Sequence, residues 1–392
     1  MPSNYKRLGD YIKPVKEKNR DLKASKLLGI NIDKFFMTSV ANVVGTDMSN
    51  YKIVKKSQFA CNRMHVGRDY RIPIALSKEE EPFMVSPAYD VFEIIDTTVL
   101  NPEYLMMWFS RKEFDRNTWF HTDADVRGGL HWNAFADLKF PIPSIEKQLE
   151  IVREYHTIQN RIAINNQLIS KLEETAQAIY KQWFESFEED KLSNSNLGEL
   201  CSLITDGKHG DCQDELDSGY YFVSVKDLSN GEIFYNKARQ ITKKDFEETH
   251  RRTNLCYGDI LITNAGTIGR MAIVKDLPQT TKTTFQKSVA ILKPKNGISK
   301  SYYLYLLVKY HLKDIIDLAG GSTQSNLLLG DLRNFEIKYP GFDLVTKIED
   351  KVKPIFGMIG LKGIENQKLA ELKDLLLAKM TRVEGAIETV EN

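Results

Sequence analysis

Cysteine is scarce in this chain. There are four in 392 residues (Cys61, Cys201, Cys212 and Cys256), and none forms a C-x-x-C pair. Neither a disulfide framework nor a zinc framework is therefore expected. Apolar runs are short as well: none approaches the ~20 residues that cross a bilayer. The opening MPSNYKRLGD has no hydrophobic signal-peptide core, so the expected location is cytoplasmic. A G-x-x-x-x-G-K-[ST] loop is missing, which removes a P-loop motor from this chain. Net charge is nearly absent too, with 54 Lys and Arg against 53 Asp and Glu, so the total points to no class of partner. What is present, 42% hydrophobic and 27% charged residues over this length, fits two or three folded units.

The flat total hides segregation. Residues 1–71 hold 15 basic residues against 6 acidic, and residues 237–300 hold 13 against 5. Residues 72–143 reverse this, 6 against 12, as do residues 191–236, 3 against 8. Two basic blocks of this kind suit two surfaces aimed at a polyanion, or are simply uneven solvated charge.

The order of features repeats. Leu8-Gly9 returns as Leu197-Gly198, and the strand-like Phe59-Ala60-Cys61 as Ile260-Leu261-Ile262. Asp137-Leu138 with Phe140 and Ile142 returns as Asp331-Leu332 with Phe335 and Ile337. Asn166-Gln167 with Leu172 and Ala178 returns as Asn366-Gln367 with Leu372 and Ala378. The offsets range from 189 to 201, the drift that loop insertions put between two copies of one fold.

Each copy closes on a long helix. After Ser144, a plausible N-cap, come Ile151, Tyr155, Ile158, Ile162, Asn165, Ile169, Leu172, Ala176, Ile179 and Trp183 in alternating steps of four and three. That is a coiled-coil seam with one polar member, Asn165, which either sets register or is merely tolerated at a frayed contact. A helix over 144–188 is ~65 Å long at 1.5 Å per residue. A second, rougher seam from about Asp343 runs through Ile348, Val352, Ile355, Ile359, Leu369, Leu372, Leu376 and Val383. Pro354, Gly357, Gly360 and Gly363 are expected to kink or split it. Neither helix can hide its stripe alone, so the two should pack antiparallel as a spacer with the globular parts at opposite ends. Leu192 to Asn196 reads as a linker that ends the first helix.

Within the globular copies strand signals dominate: 260–263 and 271–274 around a turn, 221–225 and 289–292. One internal helix is expected in each copy, near 102–116 and 299–317. The fold class is α+β with mixed α/β lobes and a pseudo-twofold internal repeat. The boundaries read 1–143 and 193–342 for the two lobes, and 144–192 and 343–392 for the helices.

Enzyme-like motifs dissolve on inspection. Asn101-Pro102-Glu103-Tyr104 resembles the N-P-P-Y signature of amino-methyltransferases, yet Asn101 is better read as a helix cap and Pro102 as the first helical residue. The repeat sets Ser299-Lys300-Ser301-Tyr302 at the same point without the signature. No glycine-rich cofactor loop accompanies it. Cys201, His209 and Cys212 lack a fourth zinc ligand, and no nucleophile context surrounds the histidines.

What remains is a set of loops suited to a nucleic acid. In the first copy these are Asn62 to Arg68 and Asp125 to Trp132, with Arg63, His65, Arg68, Arg127 and His131 as candidates. In the second they are Thr205 to Gly210, Asn264 to Thr267, Lys282 to Thr284 and Gly320 to Asn326. Their candidates are Lys208, His209, Asn264, Thr267, Lys282, Ser322, Thr323 and Gln324. Glycine lets backbone approach a surface, Arg and Lys engage phosphate or guanine, and Asn or Gln pairs with adenine. Each loop can also be read as ordinary turn chemistry.

The arrangement of lobe, P-I-P-S-I-E-K-Q-x-x-I-V leading into a long helix, second lobe and second helix resembles the specificity subunit of Type I restriction–modification enzymes. Ile204 to His209, Asp259 to Gly269 and Thr284 to Ser288 look like that family's target-recognition domains. The resemblance implies two such domains, each reading one half of a split, asymmetric target in double-stranded DNA. It further implies a helical spacer that docks two methyltransferase subunits, with motor-nuclease subunits joining outside. S-adenosylmethionine and ATP with magnesium would sit on those partners, leaving this chain non-catalytic and without a cofactor or metal. Two alternatives stay open, a coiled-coil scaffold that does not touch DNA and the recognition part of a methyltransferase fusion.

Overall fold

A computed structural model describes residues 5–39, 45–64, 66–122, 128–229, 231–320 and 325–380. The chain divides into two units, residues 1–163 with 367–392, and residues 164–366. In the first lobe the chain runs through β1 (Tyr5–Arg7), β2 (Ile12–Val15), β3 (Phe59–Cys61), β4 (Ile74–Leu76) and β5 (Asp90–Ile94). It continues through α1 (Pro102–Phe109), α2 (Lys112–Phe120), α3 (Trp132–Asp137) and β6 (Lys139–Pro141) into the long helix α4 (Ile145–Glu185).

The second lobe runs through β7 (Ser193–Asn196), α5 (Leu197–Leu200), β8 (Cys201–Asp206), β9 (Tyr221–Val223) and α6 (Lys243–Thr253). Strands β10 (Ile260–Thr263), β11 (Met271–Ile273), β12 (Thr283–Phe285) and β13 (Val289–Pro294) follow. Helices α7 (Ser301–Tyr310), α8 (Leu312–Asp317) and α9 (Leu329–Asn334) then lead through β14 (Glu336–Tyr339) to α10 (Phe342–Lys379).

The duplication is visible in the sheets. The first lobe has a four-stranded antiparallel sheet in the order β2-β5-β3-β4, and the second has β8-β13-β10-β11, the same order of first, last and middle hairpin strands. Each lobe is also closed by its two ends, β1 against β6 and β7 against β14. The residues matched by sequence occupy matching places. Phe59-Ala60-Cys61 forms β3 and Ile260-Leu261-Ile262 lies in β10; all six side chains are fully buried. Alternation across a strand explains why these stretches are uniformly apolar. Ile260 and Ile262 enter one core while Leu261 enters a second; likewise Phe59 and Cys61 face one core and Ala60 another.

Several expectations change in detail. Residues 192–196 are not a loose linker: Ser193–Asn196 is a strand, paired with Glu336–Tyr339, whose backbone partners a free loop would lack. The helix expected near 102–116 is two, parted at Arg111, which turns extended and lays its guanidinium 4.4 Å from the centre of the Trp108 ring. The one expected near 299–317 is likewise two, parted at His311. Helix α10 is not split. It runs 38 residues through Pro354, since an interior proline removes one intrahelical bond and the flanking turns are held by packing of Val345, Ile348 and Val352.

The seam of α4 is as expected, every member from Ile151 to Trp183 being buried or half-buried. Within the first unit Ile151, Val152 and Tyr155 share a core with Leu376, Leu377 and Met380. Within the second, Ala176 and Tyr180 share one with Val345, Ile348 and Val352. Both runs pair antiparallel. Asn165 is buried in the second unit and donates to Asn366 Oδ1 at 3.0 Å, while Asn366 donates to Asn166 Oδ1 at 2.8 Å. It is therefore a bonded polar member of the seam and not a frayed one. Leu372, expected in the seam of α10, is instead 50% exposed, and Val383 lies outside the described residues.

Candidate nucleic-acid interface

In the second lobe the loop after β8 is fixed by backbone. Gly207 N donates to Val289 O at 3.2 Å, Lys208 N to Phe285 O at 2.8 Å, and Lys287 N to Lys208 O at 3.0 Å. A Cβ on Gly207 would lie 1.8 Å from the Phe285 carbonyl oxygen, so only glycine fits. Helix α6 locks the other side. Lys208 Nζ pairs with Glu248 at 2.6 Å and lies 3.9 Å from Asp245, and Arg252 donates to the carbonyls of Asp206 and Gly207. The hydrogen bond to Glu248 raises the Lys208 pKa, so this ammonium is charged and internally bound. His209 Nε2 is 2.8 Å from Asp206 Oδ2, with the imidazole mostly exposed.

Beside it, the turn after β10 is anchored by Asn264, whose side chain is buried and whose carbonyl accepts from Leu327 N at 2.9 Å. Thr267 is exposed, and its carbonyl accepts the Thr263 hydroxyl at 2.5 Å. Lys282, Lys287 and Arg251 are exposed and make no ion pair among the described residues. Ser322, Thr323 and Gln324 lie outside the described residues.

The first lobe uses the same device with different residues. Arg63 Nε donates to Asp90 Oδ2 at 2.6 Å and Nη1 to the Leu130 carbonyl, and the guanidinium lies 5.7 Å from the centre of the Trp132 ring. Gly67 N donates to Gly128 O at 2.8 Å, and a Cβ on either glycine would come within 2.6 Å of the other's Cα. The two loops are thus lashed together, with Arg63 as the tie. Arg68 is exposed and pairs with its neighbour Asp69 at 2.7 Å; His131 is exposed at the N-cap of α3. His65 and Arg127 lie outside the described residues.

Comparison with known proteins returns similar chains of one kind. A family profile described as Type I restriction modification DNA specificity domain matches residues 189–373. Residues 189–373 are thus similar to a Type I restriction modification DNA specificity domain. It is 22% identical to the HindI specificity subunit of Haemophilus influenzae, over 89% of this chain and 91% of that one. It is 23% identical to the MjaVIII specificity subunit of Methanocaldococcus jannaschii, over 64% of each. The S subunit of a Type I restriction–modification system from M. genitalium shares the fold, with a TM-score of 0.50 and 15% identity over 96% of this chain and 95% of that one. The resemblance read from the sequence is thereby shown.

The structure adds residues that sequence reasoning missed: Asp245, Glu248 and Arg252 on α6, and, in the first lobe, Asp90 as the partner of Arg63. Helix α6 was not among the helices expected from the sequence, although its two ends carry a signal. Thr242 accepts from Asp245 N at 3.3 Å while the Asp245 carboxylate meets the Thr242 hydroxyl, and Asn254 ends the helix at φ 42°. The methyltransferase-like stretch is accounted for locally, because Asn101 Oδ1 accepts from Glu103 N and Tyr104 N as an N-cap. Among the described residues no helix is long and apolar enough to cross a membrane.

Proposed function

We propose that this chain is the DNA-recognition subunit of a Type I restriction–modification complex, each lobe reading one half of a bipartite, asymmetric target. The observation that carries the reading is one sheet order built twice with different loops at its ends. Two copies of one scaffold with unlike loop chemistry recognise two unlike sequences, so the site is not a palindrome. Arg63 and Lys208 hold the reading loops in shape. The exposed Lys282, Lys287 and Arg251 supply phosphate contacts, and the turns at Asn264 to Thr267, His209, Arg68 and His131 face the bases.

The helices dock two methyltransferase subunits, with motor-nuclease subunits completing the complex. Two features support this. In the first unit α4 and α10 enclose an open groove of about 580 Å³ lined by Ile158, Leu372, Leu375 and Leu376 with Glu150, Arg153 and Lys379 at its rim. In the second unit Ile164, Leu168, Met358, Leu361 and Ile364 are exposed on the same two helices. S-adenosylmethionine, ATP and magnesium bind the partners, and this chain performs no chemistry. Sequencing the methylome of cells with and without the gene tests the proposal. A split adenine-methylation motif with two different halves should vanish with the gene. A motif that persists, or that is continuous, refutes the reading.

A further inference from the structure

Both long helices carry a lobe, and in the second unit the seat between them is charged. Glu232, in the two-residue strand Glu232–Ile233, pairs with Lys275 just past β11. Gly363 of α10 faces that pair directly: a Cβ there would lie 2.7 Å from Glu232 Oε1 and 2.9 Å from Lys275 Nζ. On the other side Gly231, at φ +72°, leaves room for Glu173 of α4, whose Oε1 would stand 2.7 Å from a Cβ at that position, and for the Tyr305 hydroxyl at 3.2 Å. Glycine in a helix interior is a local cost. Gly357 and Gly360 have open space around them, whereas Gly363 has a neighbour that demands its missing side chain. Two glycines, one on the lobe and one on the helix, thus admit a four-charge cluster of Glu173, Glu232, Lys275 and Lys309.

We propose that the Glu232–Lys275 pair, seated on Gly363 and against Glu173, fixes the tilt of the second lobe on its helices and so acts as a positioning element for the spacing between the two half-sites. This rests on the bipartite reading above. Among the described residues the pair makes no hydrogen bond or ion pair to the loops at 205–210 and 264–267, so it governs where the lobe stands and not which bases it prefers. The nearest atoms to a side chain at position 363 are the flexible ends of Glu232 and Lys275, which must swing away while the helix backbone stays.

The test uses the full chain assembled with its methyltransferase subunits. The substrates are duplexes carrying both half-sites at the natural spacing and at one base pair more or less. The native complex is expected to methylate the natural spacing alone. Gly363→Leu, and separately Glu232→Gln with Lys275→Gln, should raise methylation of the altered spacings at least tenfold relative to the natural one, with base preference within each half-site unchanged. The charge exchange Glu232→Lys with Lys275→Glu should restore discrimination. An unchanged spacing profile in the polar double variant, or a change in half-site bases without a change in spacing, overturns the inference. If the native complex itself recognises no split target, the failure belongs to the function proposed above.

Discussion

Replacing Asn165 by leucine should make the protein more stable and less well defined. Asn165 is 1% exposed and spends its carboxamide on Asn366, which keeps its second bond to Asn166 after the change. Losing one amide hydrogen bond costs about 1 kcal/mol net. Asn366 is only half-buried, so water can satisfy the freed Oδ1 and the larger penalty of a buried orphan is avoided. Burying a leucine side chain in the seam returns roughly 1.5–3 kcal/mol. The balance is a gain of about 1 kcal/mol, a rise of ~2–4 °C in Tm for a unit of this size. Asn165→Ala, which loses the bond and leaves space, should fall by about 1–2 kcal/mol. A polar pair in an apolar seam selects one register at a cost in stability. Amide exchange around residues 160–170 and 362–370 in Asn165→Leu should therefore quicken even as Tm rises. Thermal melts with exchange mass spectrometry measure both. A leucine variant less stable than the alanine variant would refute the reasoning, because the site would then be shaped for the amide.

Two further outcomes follow from the second unit. Gly207→Ala forces a Cβ onto the Phe285 carbonyl, so the loop after β8 must leave its place. Full-chain complexes with this variant should lose the second half-site and keep the first in binding competitions with half-site mutants, and unchanged affinity for the whole target would count against a fixed loop. His311 is packed against Phe184, Tyr310 and Phe335, and burial pushes its pKa below the ordinary 6.5. A depressed base binds its proton less readily folded than unfolded, so its contribution is intact above pH ~6.5 and declines as pH falls below it. Between pH 7.5 and 5.5 the native protein should therefore lose more Tm than His311→Gln; equal losses would show that this imidazole is not the group titrating.

Much of the architecture was legible because it rests on local periodicity. The four-three seam of α4 and the strand run at 260–263 are decided by which residues must leave water. The repeat was readable because both lobes need the same apolar strands at the same places in one sheet order. Asn101 as a cap followed from its chemistry and the proline beside it. The candidate loops were legible only in part, since Thr205 and Asp206 end a strand and Thr283 and Thr284 begin one, and the duties of their charged residues were not legible. Arg63 and Lys208 look like free cations in the sequence, and the partners that engage them, Asp90 and Glu248, stand 27 and 40 residues away.

The amino-acid order alone therefore determined the duplicated α+β design and the two long helices, since burial periodicity and turn chemistry act over a few residues. Only the tertiary structure decided which charges are spent inside the protein and which remain outside. It also decided that Gly363 faces an ion pair and that Asn165 meets Asn366. Those outcomes depend on side chains brought together across the fold, and Coulomb attraction, hydrogen bonding and steric fit act over distances in space that spacing along the chain does not encode.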